Sequence, residues 1–138
     1  MGAATIRWVK GGQFIGIDST NHSVVLSTVA EGIGIKPSDL LLIAIGACTA
    51  VDVVDILRKK RTPPASLDIQ VSGEQNTDPP WAFTSIHMKY ILKGKGLTEK
   101  NVAQAIELAE EKYCSVSATV KGVAKVSTSF EILSEDAD

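Results

Sequence analysis

Short stretches rich in β-branched and aromatic residues open the chain at 3–10 (AATIRWVK), 13–20 (QFIGIDST) and 23–28 (SVVLST), with Gly11-Gly12 and Asn21-His22 between them. Strand-forming runs separated by turn residues at this spacing predict a three-stranded antiparallel meander. The pattern then changes period. Residues 37–61 (PSDLLLIAIGACTAVDVVDILRKKR) run without a breaker to Pro63-Pro64, open with Pro37 and Ser38, and close with four cations. Pro in a first turn and basic residues in a last turn predict one long helix.

The first half of that helix, Leu40 to Val51, is apolar or small on every side. A surface helix carries one apolar stripe and one polar face, so this one has to be enclosed. Its unbroken apolar run stops at Asp52, well short of the ~20 residues needed to span a bilayer, which favours enclosure by protein. A chain of this size has little with which to surround such a helix, so a homodimer packing helix on helix is expected, with Gly46 at the contact. Further on, Leu67, Ile69 and Val71 alternate with Asp68, Gln70 and Ser72, while Ile86, Met88, Tyr90 and Leu92 alternate with polar neighbours. These predict two half-buried strands joined through the turn-rich NTDPP. Thr98 caps a second, amphipathic helix, with Val102, Ala105, Ile106, Ala109 and Tyr113 at helical spacing. A last strand, 123–133, sets Ala124, Val126, Thr128, Phe130 and Ile132 on one face, and the acidic SEDAD tail beyond it is expected to fray.

The resulting order, β-β-β-α-β-β-α-β, lacks the strict βαβ alternation of a doubly wound parallel sheet. It predicts an α+β fold with antiparallel sheets around a long buried central helix. The 138 residues suit one domain spanning 1–138, with no repeat and no linker. Hydrophobic residues at 44% and charged residues at 22% are globular values. The net charge of −2 comes without a basic stripe, which disfavours nucleic acid as a partner. Arg58-Lys59-Lys60-Arg61 is read as cations facing the negative end of a helix dipole. The start MGAATIRWVK has no apolar segment of a signal peptide, and Ile6 stands where a myristoylation motif needs Ser or Thr. A cytoplasmic protein, with no membrane partner, is the expectation.

Two cysteines are too few for a disulfide scaffold, so they are either inert buried thiols or redox groups. Cys48 lies among Gly46, Ala47, Thr49 and Ala50, small neighbours that leave room for a second backbone or a ligand. Cys114 opens Cys-Ser-Val-Ser, the start of a new turn whose free N–H groups would favour a thiolate. A lone cysteine on an apolar helix is ordinarily a small hydrophobe. His22 and His87 have no zinc-ligand spacing with the cysteines, and no metal or cofactor is expected.

The segment KPSDLLLIAIGACTAVDVVDILRK, followed by EKYCSVSATV with 66 residues from one Cys to the other, resembles the two-cysteine signature of the OsmC/Ohr family, most closely its YhfA-like branch. The strands on either side extend the likeness over nearly the whole chain. The resemblance implies an intertwined homodimer with two sites at the subunit interface and a role in oxidative stress defence. In peroxidase members the first cysteine, matching Cys48, attacks an organic hydroperoxide and becomes a sulfenic acid. The second, matching Cys114, resolves it to a disulfide that a dithiol reductant reopens.

In that family an Arg and an acidic residue hold the attacking sulfur. A free thiol with pKa near 8.5 is only about 3% thiolate at pH 7, and lowering it to about 6 takes roughly 3.4 kcal/mol. Of the three arginines, Arg58 lies roughly 15 Å along the helix from Cys48 and about 80° around it, with Arg61 farther still. That leaves Arg7 on the first strand, whose ordinary role would be a solvent-facing one. The family's Glu position is Ser38 here; Asp39, one residue on, is the acidic candidate, although ~13 Å and ~180° from Cys48 on one helix. The candidate site is thus Cys48, Cys114, Asp39 and Arg7, taking a small apolar hydroperoxide. A non-catalytic protein binding an apolar ligand or partner is the alternative, and a hotdog-type thioesterase the weaker one.

Overall fold

The computed structural model describes residues 2–134, and the acidic tail beyond Ser134 lies outside the described residues. The chain divides into two compact units, one ending at Leu41 and the other beginning at Leu42. The first holds β1 (Ala4–Lys10), β2 (Gln13–Asp18) and β3 (Ser23–Ser27), paired antiparallel in that order. This is the predicted meander. Asn21 takes φ 67° in the second turn, where the Asp18 carboxylate accepts from the backbone N–H groups of Thr20 and His22. Those donors hold the Asp18 carboxyl below its usual range, the His22 N–H contributing most.

The long helix α1 (Pro37–Lys59) carries the boundary between the units. Its C-terminus closes in a Schellman motif: Thr62 N–H donates to Leu57 O and Arg61 N–H to Arg58 O, with Arg61 at φ 63° in the place glycine usually takes. The basic run therefore sits at the carbonyl end of α1, where Lys59 also pairs with Asp55 and Lys60 donates to Gln104.

The second unit adds β4 (Ser66–Gln75), β5 (Phe83–Lys93), α2 (Glu99–Leu108), a short helix α3 (Ser115–Val120) and β6 (Lys125–Leu133). Between α2 and α3 the residues Ala109–Tyr113 form a single π-turn. The Ile86, Met88, Tyr90 and Leu92 alternation places these four side chains in the core, against Ile45, Val53 and Leu57 of α1 and Val102, Ala105 and Ile106 of α2. Thr98 is the N-cap of α2, accepting from Asn101 N–H at 3.1 Å. The last strand keeps the predicted face, with Val126, Thr128, Phe130 and Ile132 turned inward between exposed neighbours.

Three expectations are corrected. The sheet order is β4-β5-β6, and β5 pairs with β6 parallel, not antiparallel. The helical crossover between them returns the chain to the starting edge, the length of connection that parallel pairing requires. Tyr113, placed by helical spacing on the apolar face of the second helix, is 53% exposed. The π-turn inserts an extra residue and rotates everything after Ala109 off that face. Gly46 is buried, and a Cβ there would meet Val71 Cγ2 at 3.0 Å, so it faces the chain's own β4 and leaves no surface for a partner helix.

The enclosure of α1 is one-sided in the single chain. Its 18 most apolar residues have mean hydropathy 2.3, a length and composition that would suit a membrane span, and the core helix of a soluble protein passes the same test. One stripe, Ile45, Gly46, Thr49, Val53 and Leu57, is buried. Ile43, Ala47 and Val51, spaced four apart on another, are exposed, Val51 by 70%.

Candidate active site

Cys48 and Cys114 meet. Cys48 projects from the middle of α1 and is half-buried; Cys114 follows the π-turn and is 2% exposed. Both are free thiols, and Cys48 is among the neighbouring groups that act on the Cys114 proton. The second sulfur is placed by two backbone devices. Cys114 N–H donates to Ala109 O at 2.8 Å, which closes the π-turn. Cys114 then serves as N-cap of α3, its Sγ accepting from Ser117 N–H at 3.2 Å. The new turn anticipated at Cys-Ser-Val-Ser is therefore present.

Its electrostatic consequence is the opposite of the expected one. Burial pushes the Cys114 thiol up to about 11, and the neighbouring Cys48 adds to this, while the N–H groups of Ser117 and Val116 pull the other way and lose. A capping donor favours a thiolate, but desolvation of the charged form outweighs it. Cys114 therefore keeps its proton at neutral pH, and no cation is among the groups that set it.

The surroundings come from four elements of the second unit. Thr49, beside Cys48 on α1, is fully buried and turns its hydroxyl onto Ile45 O and Gly46 O, with Met88 Sδ at 3.8 Å. Tyr90 from β5 is fully buried with its hydroxyl 3.9 Å from Met88 Sδ; burial drives its pKa up to about 12, with the neighbouring Thr49 hydroxyl opposing the rise. Glu110, in the π-turn, adds to that rise and pairs with Lys121 at 3.2 Å. Burial acts to lower the Lys121 pKa, but Glu110 and Glu111 outweigh it and hold the ammonium raised. Ser117 is fully buried, and its hydroxyl has no partner.

Neither charged candidate belongs to the unit that holds the cysteines. Arg7 is exposed on β1, opposite Ile15 of β2, and Asp39 is exposed in the first turn of α1; both belong to the first unit. His22 is exposed in the β2–β3 turn beside Thr20, and His87 is held between the hydroxyls of Ser127 and Ser129. Among the described residues no group of three or more His, Cys, Asp or Glu side chains is arranged to hold a metal ion. Glu110, Lys121 and Ser117 were not singled out by sequence. Glu110 lies four residues before Cys114 and Ser117 three after, separations that signal proximity only once the helical phase across the π-turn is known.

Comparison with known proteins agrees with the fold. Residues 30–129 match the family described as OsmC-like protein. Protein YhfA of Escherichia coli strain K12 is 31% identical over 130 residues, covering 94% of this chain and 97% of YhfA. The crystal structure of a hypothetical protein from Aquifex aeolicus VF5 superposes with a TM-score of 0.88 at 32% identity, over 99% of this chain and 98% of the other. The organic hydroperoxide resistance protein OhrB of Bacillus subtilis shares the fold, with a TM-score of 0.64 at 17% identity over 95% and 98% of the two chains.

Proposed function

The chain belongs to the OsmC-like family, and from that premise we propose that it is a thiol-dependent peroxidase that reduces small apolar organic hydroperoxides in the cytoplasm as a homodimer. The observation that supports this reading is the pairing of a half-buried Cys48 with a buried Cys114 whose proton it helps to hold. The asymmetry supports a division of roles. Cys48, the accessible sulfur, attacks the peroxide; the O–O bond breaks, an alcohol leaves, and Cys48 becomes a sulfenic acid. Cys114 then bonds to the Cys48 sulfur with loss of water, and a dithiol reductant reopens the disulfide by exchange. The hydroperoxide resistance named for OhrB accords with this chemistry. Arg7 and Asp39 are the candidates for the charges the attacking sulfur needs, and the open Ile43, Ala47 and Val51 face of α1 is the surface that a second copy covers.

The test is direct. Reduced protein consumes cumene hydroperoxide with a dithiol present, Cys48→Ser abolishes turnover, and Cys114→Ser leaves a Cys48 sulfenate that dimedone traps. Full turnover in Cys48→Ser sinks the proposal. The raised Cys114 thiol without a cation beside it favours a second reading, a non-catalytic protein binding an apolar ligand. Saturable binding of an aromatic or acyl compound, unchanged in Cys48→Ser and without peroxide consumption, would decide for it.

A further inference from the structure

The Ser117 hydroxyl is fully buried and reaches no donor or acceptor, which costs free energy in the reduced protein. Its position explains how it came to be orphaned. Ser117 is the third residue of α3, and Cys114 is that helix's N-cap. A side chain at this position leans toward the helix start, where a longer Glu or Gln would reach back to the N-cap N–H in a capping box and a serine hydroxyl falls short. Here that N–H is already given to Ala109 O by the π-turn. The hydroxyl is left without its local partner, on the residue whose own N–H touches the Cys114 sulfur.

Building on the peroxidase reading, we propose that the Ser117 hydroxyl donates a hydrogen bond to the oxygen carried by oxidised Cys48, and so to the oxygen that leaves when Cys114 closes the disulfide. In that step the Cys114 sulfur bonds to the Cys48 sulfur and the S–O bond breaks. The departing hydroxide takes the Cys114 thiol proton and leaves as water. The organic hydroperoxide that oxidised Cys48 is the only oxidant required, and the Ser117 proton is shared without being transferred. The orphaned hydroxyl is thus a donor held ready for an oxygen that exists only after the first half of the cycle. Keeping it unpaired in the resting state is the stability cost of having it in place.

Rapid mixing of reduced protein with cumene hydroperoxide, read for sulfenate by dimedone trapping and for disulfide by thiol loss, separates the two steps. Ser117→Ala should form the Cys48 sulfenate at the wild-type rate and close the disulfide about ten- to a hundredfold more slowly. Ser117→Thr, which keeps the hydroxyl, should restore closure. The thermal midpoint of reduced Ser117→Ala should equal or exceed that of the wild type, since the group removed makes no bond. A lower midpoint, or closure at the wild-type rate after normal sulfenate formation, overturns the Ser117 role while leaving the peroxidase reading intact. Absence of any sulfenate in the wild type overturns both.

Discussion

The two sheets are written in the same alternating code and meet different ends. In β5 every second residue, Ile86, Met88, Tyr90 and Leu92, is at most 1% exposed, because α1 and α2 lie over that face. In β1 every residue is exposed, Ile6 by 65% and Trp8 by 66%. The difference is one of cover and not of strand quality, since β1–β2 and β4–β5 both keep antiparallel ladders, each broken by a single register shift near one end. Alternation specifies which side chains share a face, and something else must specify what lies against that face. The second unit supplies its own cover and builds the cysteine site inside it. The first presents large apolar side chains that a single chain leaves in water, a condition that the proposed second copy would relieve.

Core truncation should expose this contrast most strongly. Leu57 is fully buried, so Leu57→Ala should destabilise the chain by about 2–5 kcal/mol through lost transfer free energy and a residual cavity. Trp8→Ala removes a larger side chain, yet in dilute monomer it should move the denaturation midpoint by no more than about 0.5 kcal/mol. Its effect should appear as weaker self-association in sedimentation. Comparable losses of monomer stability from both variants would break the contrast.

A second effect resides in the covered unit alone. The Cys114 thiol and the Tyr90 phenol are raised to about 11 and about 12, each chiefly by burial. Both groups are charged only when deprotonated, so a raised folded pKa means the native state holds its proton longer than the unfolded chain. Stability contributed by Cys114 is complete below about pH 9 and declines between about 9 and 11, by on the order of 2 kcal/mol; Tyr90 extends the decline toward 12. Denaturant titrations across this range should show the loss in the wild type and a smaller one in Cys114→Ser. A flat profile would mean that Cys114 is hydrated in solution.

How much of this was legible follows from the same distinction. The meander, the ends of α1, the Thr98 cap and the alternation of β4 to β6 all rest on local chemistry that the residues carry themselves. The two cysteines were singled out by their settings, and their influence on each other follows from where α1 and the π-turn are packed. The π-turn was not legible, because AEEKYC is compatible with an ordinary helix and the extra residue is imposed by how Cys114 must enter α3. That missed residue accounts for Tyr113, for the orphaned Ser117 hydroxyl and for Glu110 beside Tyr90. The charge on Cys114 was misjudged for a related reason, since donors are visible in a sequence and desolvation is not.

Gly46 gives the finest test. Flanked by apolar and small residues on α1, it looks like a glycine that admits a second helix, but the structure turns it onto Val71 of its own sheet. Replacing it by Ala should gain about 0.5–1 kcal/mol from the reduced freedom of the unfolded chain in a helical position. Against that, the new Cβ would stand 3.0 Å from Val71 Cγ2, tight enough that the valine must yield by a few tenths of an ångström. Val71 is half-buried and β-branched, so it yields only by moving β4 slightly or leaving its preferred rotamer, at a cost of the same order. The two terms should nearly cancel, leaving Gly46→Ala within about 1 kcal/mol of the wild type and with unchanged self-association. Ala47→Glu, on the exposed stripe next to it, should do the reverse, weakening association while leaving monomer stability intact. If Gly46→Ala instead dissociates the protein at constant monomer stability, the glycine lies at the contact between copies, and the open face of α1 has been assigned to the wrong side of the helix.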